Sequence, residues 1–143
     1  METNTELFNI INKYQEHEKT FAAYFEEIKT LEDFHLSEPF KKNDVITFDL
    51  IGKRIDLILS LHINKETTII DGKIDSFHIK YNLNDNKTEK TLLCSFIING
   101  DNIGSFTDNK YVDFHTNEIK SRTHKMLSLI AKKLFINEGL IKQ

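Results

Sequence analysis

The chain has 143 residues, 19 basic and 22 acidic side chains for a formal net charge of −3, 39% hydrophobic residues, one cysteine and one proline. That length fits a single domain, residues 1–143, whose core is large enough to stand without staples, and so little glycine and proline excludes a largely disordered chain. A lone Cys94 excludes an internal disulfide and points to a reducing compartment, where it reads as a small buried hydrophobe.

The opening Met-Glu-Thr-Asn-Thr-Glu is acidic where a secretion signal is basic and then apolar. No apolar run approaches the roughly 18 residues of a membrane span, so the expected location is cytoplasmic, with no membrane partner. Leu7, Ile11, Tyr14, Phe21, Phe25 and Ile28 recur at helical spacing, and Thr3 stands three residues before Glu6 as in a capping box. These predict a long amphipathic helix over about 4–33, its stripe interrupted by Glu18. Pro39 marks the exit.

Between residues 44 and 115 the apolar period changes to two. Ile46, Phe48 and Leu50, then Ile55, Leu57 and Leu59, read as one hairpin. A turn at Gly52-Lys53 pairs Leu50 with Ile55, Phe48 with Leu57 and Ile46 with Leu59, and sets Asp49 opposite Asp56. Further strands are expected near 74–83, 91–98, 103–107 and 110–115, punctuated by turn residues at Asn84-Asp85-Asn86, Asn99-Gly100 and Asp108-Asn109. Around 68–76 the apolar phase slips from even (Ile70, Ile74) to odd (Phe77, Ile79, Tyr81), which a bulge or an extra Asp71-Gly72 turn has to absorb. Finally Ile119, Thr123, Met126, Leu127, Ile130 and Leu134 form the stripe of a helix over about 117–138, stopped by Gly139.

The fold class is therefore α+β: a long N-terminal amphipathic helix, an antiparallel meander of five to six strands, and a C-terminal helix packed on the sheet. The second sheet face also carries apolar residues, among them Ile58, Ile97, Phe106 and Tyr111. Three arrangements cover it: one helix on each face, a sheet curled into a partial barrel, or another chain.

Charge is polarised. Residues 1–40 carry −6, residues 41–116 carry −1 and residues 117–143 carry +4. The first helix concentrates Glu16, Glu18, Glu26, Glu27, Glu32 and Asp33, a surface suited to a basic partner. Lys120, Arg122, Lys125, Lys132 and Lys133 spread around the polar arc of the last helix, so nucleic acid is not the expected partner.

Chemistry-bearing motifs are sparse. There is no nucleophile elbow and no glycine-rich phosphate loop, and none of the six histidines has metal-ligand spacing. His62 and His78 read as exposed or edge histidines. No cofactor or metal is called for. The one constellation of note is Asp49 beside Asp56, with Asp75 or Asp71 as further oxygen ligands for a divalent metal. Asp71-Gly72-Lys73 with Asp56 resembles the acid and D-x-K set of metal-dependent nucleases, although acid-x-Lys recurs at Glu27, Asp108 and Glu118.

Taken together these features favour a small non-catalytic binding protein of inhibitor or immunity type. It would dock a protein partner, or a second copy of itself, through the acidic helix or the apolar sheet face. The alternatives are a metal-dependent hydrolase using Asp49, Asp56, Asp71, Lys73 and Asp75, and a small-molecule carrier with a cavity under a curved sheet.

Overall fold

The computed structural model describes residues 2–66, 68–100 and 102–143. Helix α1 (Glu2–Ile28) is followed by seven strands, β1 (Leu36–Lys42), β2 (Val45–Leu50), β3 (Lys53–Ile63), β4 (Ile70–Asn82), β5 (Lys87–Asn99), β6 (Asn102–Thr107) and β7 (Lys110–Asp113), and then by α2 (Ile119–Asn137). The strands pair antiparallel in sequence order, each with the next, so the sheet is a pure meander. The α+β class and its element order agree with the sequence reading. The sheet has one more strand than the highest count expected.

The additional strand is β1, whose sequence hides it. Pro39 lacks an amide proton and Glu38 adopts φ 52°, so pairing with β2 shifts register between Ser37 and Phe40. Both features are tolerated because β1 is an edge strand.

Alternation in β2 and β3 buries Ile46, Phe48, Leu50, Ile55, Leu57 and Leu59, as expected. The register is corrected, however. Leu50 pairs with Lys53, Phe48 with Ile55 and Ile46 with Leu57. The two-residue turn is therefore Ile51-Gly52, both at positive φ (51° and 75°), the geometry that matches the twist of a tight hairpin. A β-branched residue is disfavoured in that conformation, and for that reason the sequence places the turn one residue late.

The phase slip is absorbed differently from either expectation. β4 runs unbroken and buries Ile74, Ser76 and His78, so core positions 76 and 78 are filled by polar side chains. The irregularity lies in the partner: β5 bulges at Leu93, between Cys94 opposite Ser76 and Leu92 opposite Phe77. His78 thus faces the core and is not exposed.

Both helices pack on this same sheet face. Phe21, Tyr24 and Ile28 of α1 and Met126, Leu127, Ile130 and Leu134 of α2 join Phe48, Leu57, Ile74, Phe96 and Ile98 in one core. Burying such side chains contributes roughly 1.5–3 kcal/mol each. The arrangement with one helix on each face is thereby overturned.

The α1 stripe passes through His17, which is buried in phase with Phe21 and Tyr24, rather than breaking at Glu18. Its Nε2–H donates to the Ile70 carbonyl (3.1 Å), and its ring stands over Gly72, where a Cβ would come within 2.9 Å of Cγ. Towards the helix start the stripe continues past its partners, and Leu7, Phe8, Ile10 and Ile11 are exposed. The helix begins at Glu2, so Thr3 lies inside the first turn; its side chain, and with it the capping box, lies outside the described residues.

Candidate functional site

The face opposite the helices carries most of the residues singled out from the sequence. Pairing makes rows across it. Phe40, Thr47, Asp56, Phe77 and Leu92 form one; Val45, Ile58, Asp75 and Ser95 form the next.

Asp49 stands opposite Arg54, so the Asp49–Asp56 juxtaposition does not exist. The expected like-charge pair depended on the Gly52-Lys53 turn, and the turn at Ile51-Gly52 moves every partner by two residues. Asp56 instead accepts hydrogen bonds from Thr47 Oγ1 (2.9 Å) and Arg54 Nε (3.4 Å). Asp75 accepts from Ser95 Oγ (2.5 Å) and lies 3.9 Å from Lys73 Nζ. These carboxylates are partnered separately, and among the described residues no three His, Cys, Asp or Glu side chains gather as a metal site.

Asp71 differs. It is 5% exposed, and its Oδ1 is buried with no hydrogen-bond partner among the described residues. Directly across the β3–β4 ladder is His62, whose Nδ1 is likewise buried with no hydrogen-bond partner among the described residues. Burial pushes the Asp71 carboxyl above its usual range, against the pull of His62, His17 and Lys13.

Around this pair the structure assembles several predicted residues. The Phe106 ring meets the His62 ring edge-on with centroids 5.1 Å apart, and Lys73 Nζ lies 5.9 Å from the Phe106 centroid. Tyr111 pairs with Phe106 across β6 and β7, and burial together with Asp113 raises its phenol to about 12. Its ring lies over Gly104, where a Cβ would come within 2.7 Å of Tyr111 Cε2.

Two clefts flank the pair. One, of about 620 Å³, runs between α1 and the sheet end and is lined by Lys13, Glu16, His17 and Asp71. The other, of about 420 Å³, is lined by His62, Phe106, Asn109 and Tyr111.

Asp71, Lys73, Phe106 and Tyr111 therefore come together, whereas Asp49, Asp56 and Asp75 stand apart from them. Ile97 is only 3% exposed, hence closed off by this chain, while Ile58 stays half-buried on the open face. The α1 acids do not form one surface. At 100° per residue Glu18 and Glu27 fall on opposite flanks of the buried stripe and Glu26 on the solvent side. Glu16 pairs with Lys13 (3.4 Å) and Glu26 with Lys29 (2.8 Å). In the loop after α1, Glu32 is exposed and Asp33 Oδ2 lies 3.5 Å from His124 Nε2 of α2.

Sequence reasoning missed His62 and His17. For His17 the signal was present, as the residue falls between Tyr14 and Phe21 in helical phase. Nothing in the sequence distinguishes His62 from any polar residue near a strand end.

No family model, curated protein or solved structure matches this chain. No described helix is long and apolar enough to cross a membrane.

Proposed function

We propose that this protein is a non-catalytic binding module that holds a protein partner against the sheet face opposite its helices, in the manner of an inhibitor or immunity-type protein. One observation carries the reading: both helices lie on the same face. The other face is left to Phe40, Val45, Ile58, Phe77, Ile79 and Leu92, with Phe40 60% and Leu92 51% exposed. Apolar residues on one face that no described element covers are the usual mark of an interaction surface. The carboxylates interleaved with them carry their own donors, so a partner would not have to neutralise bare charge there.

Photo-crosslinking tests this reading. A photoreactive residue replacing Leu92 or Ile58 should trap one defined protein in cells of the source organism, whereas the same residue at Lys132, on the solvent side of α2, should not. Phe77→Glu should remove the adduct while leaving the fold intact. Equal labelling from positions 92 and 132, or an adduct insensitive to Phe77→Glu, overturns the proposal.

A further inference from the structure

We infer that the first turns of α1 form an interface between two copies of this chain, the helices packing antiparallel across a two-fold axis. Residues 4–12 are all exposed, because α1 starts ahead of the elements that bury it from His17 onward. Where the exposed stretch ends, the Tyr14 hydroxyl donates a hydrogen bond to the Asp44 carboxylate and ties the helix to the β1–β2 turn. A helical stretch of this length is marginal in water unless one side is packed. Its sequence carries the side to pack. Leu7, Ile10, Ile11 and Tyr14 follow one another at intervals of three, one and three, the spacing of a helix–helix seam, and Phe8 borders them. Leu7 and Phe8 each keep more than half of their surface exposed, and Ile10 and Ile11 more than a third.

Charge names the occupant. At about 100° per residue, Glu6 and Lys13 fall within about 20° of each other, on one flank of the Leu7–Ile10 seam. A two-fold axis that reverses the second helix lays this flank against the same flank of the other copy. With the axis midway between positions 6 and 13, Glu6 of each copy meets Lys13 of the other. Two ion pairs then form at once, while Leu7, Ile10 and Ile11 from both helices interleave between them. The surface is its own complement, as an isologous contact requires. Lys13 now lies 3.4 Å from Glu16, but both side chains are exposed, and a pair of that kind contributes little that holds it there. Two turns per copy make a contact smaller than the roughly 800 Å² per partner of a standard interface, so association should be weak and set by concentration.

This surface is on the helix side of the sheet, away from the face proposed for docking, so its outcome is separate from that of partner trapping. Sedimentation velocity of the full chain, from about 1 μM to about 1 mM, reads it directly. The sedimentation coefficient should rise with concentration towards that of a dimer. The double change Leu7→Ser with Ile11→Ser alters exposed residues only, and should weaken association by about tenfold or more with an unchanged circular dichroism spectrum. Glu6→Lys and Lys13→Glu each set like charges together and should each weaken it by a similar factor. An equimolar mixture of those two variants makes every cross-pair opposite in sign again, and should restore the dimer. The inference is overturned if the parent stays monomeric throughout, if the double serine variant associates undiminished, or if the mixture associates no better than either charge variant alone.

Discussion

Ser76 and Cys94 are joined twice across β4 and β5. The Ser76 hydroxyl donates to the Cys94 carbonyl at 2.8 Å, and the Cys94 amide donates back to the same oxygen at 3.0 Å. A bulge disrupts the ladder locally, and here a side chain restores the two backbone bonds that the Leu93 bulge would otherwise lose. Ser76 is fully buried, so Ser76→Ala would leave a donor and an acceptor unsatisfied. The expected loss is about 2–4 kcal/mol of unfolding free energy. Urea denaturation measures it, and a loss below about 0.5 kcal/mol would mean that the bulge does not need the hydroxyl.

That pair also explains where sequence reading stopped. The helices and most hairpins were legible because apolar residues recur at 3.6 or 2, and Asp108-Asn109 does form a two-residue turn with both φ positive (54° and 61°). In β4 the apolar odd positions Phe77 and Ile79 outvoted the buried even ones. Ser76 and His78 are acceptable in the core only because Cys94 and Glu138 meet them, and those partners lie 18 or more residues away. The candidate site was half legible. Asp71, Lys73, Phe106 and Tyr111 were singled out separately and for other reasons. Their convergence on His62 depends on the β3–β4 register, which the alternation of apolar residues alone does not fix.

Ile51 supplies the second prediction. It is exposed and held at φ 51°, a conformation that disfavours L-residues by roughly 1–2 kcal/mol and β-branched ones most. Ile51→Asn creates the Asn-Gly pair preferred in such hairpins and loses no buried contact. Stability should rise by about 1 kcal/mol, read as a higher Tm. A fall would show that the Ile51 side chain contributes something its exposure does not reveal.

Gly104 is irreplaceable for a different reason. A Cβ there would come within 2.2 Å of the Val112 carbonyl oxygen, which is backbone and cannot turn aside. Gly104→Ala should therefore push β7 off the sheet edge. Hydrogen exchange should quicken at the β7 amides, with little change in β2 and β3, and stability should drop by more than about 2 kcal/mol. Unchanged β7 protection would refute the close approach.

His78 makes stability depend on pH. Its Nδ1 lies 3.6 Å from Glu138 Oε1 at the C-terminal end of α2, and burial lowers its pKa from 6.5, with the attraction of Glu138 opposing and Lys53 and Lys80 assisting. A histidine whose folded pKa lies below its unfolded one contributes stability that is present above pH 6.5. That stability is lost as pH falls through the lower folded value. His78→Gln should flatten the decline in Tm below pH 6.5 relative to the parent protein. An unaltered pH profile would assign the decline to other groups.

Asp71 acts with the opposite sign. Its folded pKa is raised from 3.8, so its contribution is fully present below that pH, where both states are protonated, and is lost as pH rises through the folded value. Above the raised folded value the parent protein carries a desolvated carboxylate, and Asp71→Asn should there be the more stable protein. The difference should shrink towards nothing as pH falls below 3.8. A gain from Asp71→Asn that persists undiminished at low pH would place its cause in amide hydrogen bonding rather than charge.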